Sequence, residues 1–460
     1  MSHIWAVARH MISEAIRMKI ALVFIGVLVV TVPVLPFTLA GDGVTLQSRI
    51  QSFLAYSLGL TGTLLSLLTV FLACGALANE IRDKYLFMVV SKPIARWQFV
   101  IGKWLGICLL NAMILLCVGL AVWAFTWYLK GLPTYPEDRR AVLNEVITVR
   151  YGAKPVEPDF AQWTDARVRQ LREEGRLDDV TAAGFEDVRA EIAREVRAQF
   201  RTFAPGQVRV FRFDNLLVDR TSEEMLYLHM KPIHPSGVDD VMFPARWQFG
   251  DPEDPDTLTM VDEGEFIVQR FHSIPIPARA VNKEGTLYVR MQNLDRQRSF
   301  LLEGAESFEV LYNVGTFHWN LFRALSLVWC RLAFLAALGL AASSFLSFPV
   351  ACMVALMVLF LATASGYLSE AVEMVSPKFG GEDPYGPVLG PVVRTLTHIL
   401  LWMVPNFSRF DPVGTVVAGR VVTLMWVVQS FISLVVIKGL ILGFLGSLMF
   451  TKRELAQVTV

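Results

Sequence analysis

A basic segment between two apolar runs contains the residues best suited to recognising another molecule by charge. Residues 79–106 read NEIRDKYLFMVVSKPIARWQFVIGKWLG, with Glu80 and Asp83 as the only acidic residues. Its basic residues are Arg82, Lys84, Lys92, Arg96 and Lys103. Enrichment of Lys and Arg between closely spaced apolar spans is typical of a cytoplasmic loop. Ser91-Lys92-Pro93 interrupts the helix, because proline disfavours helix at the residue before it. The segment therefore predicts a helix, a break and a second helix that together form a docking surface for a soluble partner.

The same segment lacks the parts needed for nucleotide hydrolysis. Gly102-Lys103 is the nearest approach to a phosphate-binding loop, but no glycine stands five residues before Gly102 and Trp104 replaces the required Ser or Thr. HExxH, CxxC and nucleophile-elbow motifs are absent from the sequence, and its scattered histidines lack metal-ligand spacing. We therefore expect no enzyme activity, no metal and no cofactor bound directly by this chain.

Lys438 is the other ionisable residue with functional potential. It lies in the apolar sequence VVIKGLILGF near the C-terminus. If the last span covers 428–450, the lysine is inside the membrane, where a charge is costly and indicates function. If the span covers 421–437, the lysine lies at its cytoplasmic edge. Both interpretations remain open at this point.

Composition indicates a membrane protein with one large polar insertion. The chain has 460 residues, of which 54% are hydrophobic, above the usual soluble range of roughly 45–50%. Residues 130–318 contain 56 of the 84 charged residues and carry a net charge of −8. Basic residues do not cluster with aromatic ones, so we expect no nucleic-acid partner.

The N-terminal membrane half, 1–129, begins with an amphipathic helix. Apolar residues of 3–18 form one helical stripe, whereas Arg9, Glu14 and Arg17 lie off it and are expected to face water. Three predicted spans follow, at 20–39, 55–77 and 104–129. The segment at 79–103, between the second and third spans, is the predicted coupling loop.

The insertion at 130–318 changes its periodicity partway along. Apolar residues recur every three to four positions within 155–203, which predicts helices. From 206 to 316 the period is two, in about seven short runs separated by Pro, Gly, Asp and Asn. This pattern predicts an antiparallel β-sandwich. Three spans after a cytoplasmic N-terminus would place the domain outside the cytoplasm.

The C-terminal membrane half, 319–460, contains an uncharged stretch at 332–369 of nearly twice the length of one span. Ser343-Ser344, Ser347 and Pro349 predict a turn within it, giving spans at about 332–348 and 349–369. A last span follows at 428–450. The fold class is thus a six-span α-helical integral membrane protein with an extracytoplasmic α+β insertion. Six spans place both termini in the cytoplasm, which agrees with the distribution of Lys and Arg.

The order of these elements resembles the ABC type-2 transporter permeases. The resemblance rests on E-x-R and SKPIARWQFVIGKWLG before the third span, LAALGLAASSFLSFPVACMVALMVLF, PNFSRFDP before the last span, and a terminal FTKREL. It covers both membrane halves and excludes the insertion. The chain looks most like bacterial permeases of the copper-enzyme maturation and gliding-motility kind, which implies a location in the bacterial cytoplasmic (inner) membrane.

The resemblance implies a permease subunit, a homodimer or heterodimer, that couples ATP hydrolysis to export or mechanical work. ATP and Mg would bind a separate ABC ATPase docked on the first cytoplasmic loop. The positions matching the ATPase-coupling loop are Glu80, Arg82, Ser91, Lys92, Pro93, Arg96, Gly102 and Lys103. Asp83-Lys84-Tyr85 replaces the family's usual Gly-Thr pair, which suggests a dedicated ATPase.

The alternative is a non-transporting scaffold or sensor whose extracytoplasmic domain binds a partner protein or a glycan. Protein contact is the commoner use of a β-sandwich.

Overall fold

The computed structural model describes residues 2–38, 45–82, 95–175, 182–221, 224–234, 241–251, 254, 257, 259–302, 307–375, 405, 407 and 411–452. These residues form two compact units. One unit contains the described residues up to Val149 and from Gly315 onward, and the other contains those from Arg150 to Val314.

The first unit is helical. Its first four helices are α1 (Ser2–Arg17), α2 (Lys19–Thr38), α3 (Leu46–Arg82) and α4 (Arg96–Lys130). A short helix α5 (Pro136–Ala141) continues into a π-helical turn, π1 (Val142–Ile147). After the second unit come α8 (Phe317–Ser343), α9 (Phe348–Val375), α10 (Pro412–Val417), α11 (Leu424–Ser430), a second π-helical stretch π2 (Phe431–Lys438), and α12 (Gly439–Lys452). The labels α6 and α7 belong to the second unit.

Six helices in the described part of the chain are long and apolar enough to cross a membrane. They are Ala21–Thr38, Leu46–Glu80, Trp97–Lys130, Phe317–Ser343, Phe348–Tyr367 and Leu424–Met449. This confirms the number of helices predicted, but several are longer than expected. The helix predicted at 332–348 begins at Phe317, so that Arg331 lies in its middle instead of at its start.

Burial separates central from peripheral helices in this unit. The apolar window of α8 is 72% buried, whereas that of Leu424–Met449 is 17% buried. Gly339 of α8 lies against α3, because a Cβ atom there would be 2.6 Å from the Cβ atom of Ala73. Such small residues allow two helix backbones to approach closely. Helices α3 and α8 therefore form the centre of the bundle.

The helical unit extends to Val149, past the boundary predicted at 130, because α5 and π1 pack on α3. Val142 and Val146 are buried in its core. The Asp138 carboxylate accepts hydrogen bonds from the Leu46 amide at 2.6 Å and the Gln47 amide at 3.2 Å. It thereby satisfies donors that the first turn of a helix leaves unpaired.

The second unit contains helices α6 (Phe160–Glu173) and α7 (Ala182–Arg201), both within the range 155–203 where apolar spacing predicts helices. Ile192 and Val196 of α7 are buried against α6, with Phe185, Val188 and Phe200 packed beside them. This is the apolar face expected from the spacing of these residues.

Ten strands belong to the second unit or lie at its boundaries in the sequence. They are β1 (Thr148–Ala153), β2 (Thr202–Phe203), β3 (Val208–Phe213), β4 (Met225–Met230), β5 (Met242–Phe249), β6 (Met260–Ile267), β7 (His272–Pro277), β8 (Leu287–Asn293), β9 (Phe300–Leu301) and β10 (Phe308–Thr316). They form two four-stranded sheets, in the orders β1-β10-β4-β7 and β3-β8-β5-β6, and a two-stranded pair of β2 with β9.

Alternating residues of both four-stranded sheets meet in one hydrophobic cluster. On β5 these residues are Phe243, Ala245, Trp247 and Phe249, all fully buried. The period of two predicted from the sequence therefore identifies the buried face of this strand. The pairings of β4 with β7 and β10, and of β5 with β6 and β8, are antiparallel.

Candidate functional site: a buried lysine joining three helices

Lys103 lies inside α4 and is almost completely buried, with 1% of its side chain exposed. Its ammonium donates hydrogen bonds to Glu80 Oε1 at 2.6 Å and to Glu14 Oε2 at 3.1 Å. Glu80 is near the end of α3, and Glu14 is near the end of α1. One lysine thus connects three helices through two carboxylates.

The apolar surroundings of Lys103 make this cluster sensitive to any change in its partners. The Phe99 ring centroid lies 5.5 Å from the ammonium, and Phe99 is itself buried. Glu80 is 15% exposed, and its second carboxylate oxygen is buried with no hydrogen-bond donor among the described residues. Removing one member of a buried ion pair leaves an uncompensated charge, at a cost of about 3–5 kcal/mol. The cluster therefore holds the three helix ends in one arrangement.

Glycines of α4 bring α1 close enough for this contact. A Cβ atom at Gly102 would be 2.7 Å from the Cβ atom of Val7, and one at Gly106 would be 2.8 Å from the carbonyl oxygen of Ala8. Both distances are shorter than carbon atoms tolerate, so a side chain at either position would separate the helices. Gly102 is therefore a packing residue between α1 and α4.

The structure brings together only part of the coupling set predicted from the sequence. Glu80 and Lys103 are in direct contact, and Gly102 is adjacent. Helix α3 ends at Arg82 and α4 begins at Arg96, although the side chains of these two arginines are outside the description. Ser91, Lys92 and Pro93, with Asp83-Lys84-Tyr85, lie outside the described residues.

Glu14, expected to face water, is partly exposed and also contacts Lys103. Ala8, Met11 and Ala15 are buried against α4, and Glu14 is three residues after Met11, on the margin of the same face. Its carboxylate reaches Lys103 from that margin, with 34% of its side chain exposed. The spacing from Met11 was the available signal, but the partner lies 89 residues away in the sequence.

Lys438 is separate from this cluster. It is the last residue of π2, and the helical segment continues beyond it to Lys452. Lys438 therefore lies near the middle of the last candidate span, Leu424–Met449, and not at its end. Its side chain is half-buried. The structure agrees with the interpretation in which the helix extends well past 437.

Histidines of the second unit have local roles. His229 Nδ1 lies 3.1 Å from Ser273 Oγ, and His272 Nε2 lies 2.8 Å from the carbonyl oxygen of Ile267. Within the described ranges, no group of three or more His, Cys, Asp or Glu side chains is arranged to hold a metal ion.

The arrangement is that of a multi-helix apolar unit with a buried charged cluster where α1, α3 and α4 meet. The chain matches no protein-family model and no curated protein. The function is accordingly argued from this cluster and from the helices that it joins.

Proposed function

We propose that this chain is the membrane subunit of an ATP-driven transporter resembling the ABC type-2 permeases, located in the bacterial cytoplasmic membrane. Six helices of spanning length support a multi-pass membrane protein. The basic segment between α3 and α4 is the proposed docking surface for a separate ABC ATPase. ATP and Mg would bind that ATPase.

The contact of Lys103 with Glu80 and Glu14 is the observation on which the proposal chiefly rests. Glu80 lies near the start of the basic segment and Lys103 near its end, and their side chains are in direct contact. Glu14 joins α1 to the same contact. A force applied to the segment would then act on three helices together, because they are joined by buried ionic contacts and close packing.

The length of α3 supports a mechanical role. It contains 37 residues and is therefore about 55 Å long at 1.5 Å per residue. Its contact with α8 at Gly339 places it against the centre of the bundle. We infer that closure of the ATPase pair moves the ends of α3 and α4, and that α3 transmits this movement to α8. Permeases of this kind act as homodimers or heterodimers, and the least buried helices would supply the contact between copies or with lipid.

The second unit is proposed to be an antiparallel β-sandwich outside the cytoplasm. Both termini would then be cytoplasmic, since six crossings return the chain to its starting side. The sandwich would bind a partner protein or a glycan. In the alternative function, a non-transporting scaffold or sensor, this unit would bind the same kind of ligand and the helices would do no work.

Purification of the tagged chain from its native membrane tests the proposal. An ATPase should co-purify with the intact chain and be lost when residues 92–96 are deleted. A deletion of residues 217–221 in the second unit is the matched control and should leave ATPase association unchanged. Persistence of the ATPase after deletion of 92–96 would refute the docking assignment. The complex can also be reconstituted in vesicles. If its ATP turnover then did not respond to any added ligand, the scaffold function would be favoured.

A further inference from the structure

A cavity of about 600 Å³ lies within the helical unit, next to Arg331. Residues of α3, α8, α9, α10, α11 and π2 line it. Its volume falls in the range of roughly 300–1,000 Å³ that is typical of small-molecule sites. The cavity is distinct from the Lys103 cluster, none of whose three charged residues lines it.

The guanidinium of Arg331 is the positive charge of this cavity. Its centre lies 4.6 Å from the ring centroid of Phe407, which fixes it by a cation–π contact. Nη2 donates a long hydrogen bond of 3.5 Å to Thr363 Oγ1. Nε is buried without an acceptor among the described residues. A guanidinium carries five N–H donors, so most of its hydrogen-bonding capacity is unused by the described chain.

The one acidic residue in the described lining, Asp411, is occupied by other contacts. Its carboxylate accepts hydrogen bonds from the Val413 amide at 3.0 Å and the Gly414 amide at 3.4 Å. Asp411 interacts electrostatically with Arg331, but no ion pair joins the two side chains among the described residues. Within the described part of the cavity wall, Arg331 is therefore a positive charge with no directly bonded carboxylate.

The remaining lining is largely apolar and leaves space beside α3. Leu58, Leu327, Val328 and Leu434 contribute hydrocarbon surface. A Cβ atom added at Gly59 or Gly62 would meet no atom within 4 Å. These two glycines therefore keep one wall of the cavity open, in contrast to Gly102 and Gly339, which are needed for helix packing.

We propose that this cavity binds an amphiphilic anion, a molecule with a phosphate or carboxylate group on a hydrocarbon chain. The planar guanidinium suits two-point hydrogen bonding to such an oxyanion, and the apolar walls would accommodate the chain. The site requires no ATPase, so it stands or fails independently of the proposed transporter function.

Calorimetric titration of the full chain in a nonionic detergent tests this site. Dodecyl phosphate is the probe, inorganic phosphate tests the anion alone, and dodecanol tests the hydrocarbon chain alone. We expect dodecyl phosphate to bind at least tenfold more tightly than either of the other two. Equal affinity for dodecyl phosphate and dodecanol would overturn the role of charge, and equal affinity for inorganic phosphate would overturn the role of the apolar walls.

Two variants locate the binding. Arg331→Met removes the charge and should weaken dodecyl phosphate binding at least tenfold while leaving dodecanol binding unchanged. Gly62→Leu fills open space and should weaken binding of both molecules without loss of thermal stability. Gly443→Leu, at an open glycine of α12 away from the cavity, is the matched control and should bind as the original chain does. Full binding by both cavity variants would place the ligand elsewhere and refute the proposal.

Discussion

The ammonium of Lys103 lies 2.6 Å from a carboxylate oxygen of Glu80, which stands 23 positions earlier in the sequence. A second carboxylate, that of Glu14, lies 3.1 Å from the same ammonium. Glu80 and Lys103, which stand near the two ends of the basic segment in the sequence, are therefore bonded to each other.

Replacement of Lys103 tests how strongly this cluster stabilises the helical unit. Lys103→Met should lower the free energy of unfolding by about 3–5 kcal/mol, because it leaves the Glu80 carboxylate buried without its cation. Unfolding by SDS in mixed micelles provides the measurement. Adding Glu80→Met to the same chain should restore part of the loss, since the unpaired charge is then removed.

Lys130 provides a matched control at the far end of α4, where its ammonium lies over the Trp127 ring. Lys130→Met should change stability by less than about 0.5 kcal/mol, as is usual for surface substitutions. If the two methionine variants were equally stable, Lys103 would have no special structural role.

Substitution at Gly102 tests the close approach of α1 to α4. Gly102→Leu should destabilise the unit by about 1–3 kcal/mol or more, because its Cβ atom would overlap Val7. Limited proteolysis should then cleave α1 faster than in the original chain. Gly26→Leu is the control, since a Cβ atom there meets no atom within 4 Å. Equal cleavage rates in both variants would contradict the packing role.

Asp138 should make stability depend on pH. Burial opposes its ionisation, but hydrogen bonds from the Leu46 amide, the Thr134 hydroxyl and the Gln47 amide outweigh that effect and hold the pKa below its ordinary value. A lowered folded pKa stabilises the protein above the ordinary carboxyl pKa of about 3.9. That contribution is lost as pH falls through the lower, folded value.

The corresponding variant is Asp138→Ala. It should cost about 0.5–2 kcal/mol at neutral pH through loss of the helix cap, and the difference from the original chain should shrink below about pH 4. Glu137→Ala is the control, since it removes the neighbouring carboxylate in the first turn of the same helix. A difference that stayed constant from pH 7 to pH 3 would exclude Asp138 as the titrating group.

Membrane topology can be tested by labelling cysteines with a maleimide that does not cross membranes. Leu217 of the second unit is 83% exposed. Leu217→Cys should therefore be labelled once the outer membrane is permeabilised. Ser2→Cys should react only after the inner membrane is opened. Both variants need a background in which Cys117, the exposed native cysteine, is replaced. Labelling of the two positions under the same condition would rule out the proposed topology.

The number of long apolar helices and the main strands could be predicted from the sequence, because both depend on local periodicity. Strands β3 and β4 lie within 206–316, the stretch for which the period of two predicts strands. Strand β7 is harder to predict, since two of its six residues, Pro275 and Pro277, argue against a strand interior. The sheet admits them because β7 is the last strand in its order.

The candidate site was less predictable than the fold. Glu80 and Lys103 could be selected from their positions around the basic segment, but their mutual contact depends on how α3 and α4 pack. The sequence predicts that Glu14 faces water, and it places Arg331 directly before the span predicted at 332–348. Their true surroundings are set by helices far away in the sequence, which no local pattern reveals.

The prolines of β7 also affect how the second unit behaves in isolation. A sheet edge with free N–H groups can pair with a strand from another molecule and begin aggregation. Pro275 and Pro277 have no N–H to donate, so the outer edge of β7 offers an incomplete template. The sheet that ends at β7 is thereby protected from strand addition on this side, which favours a monomeric second unit if that unit is produced without the helices.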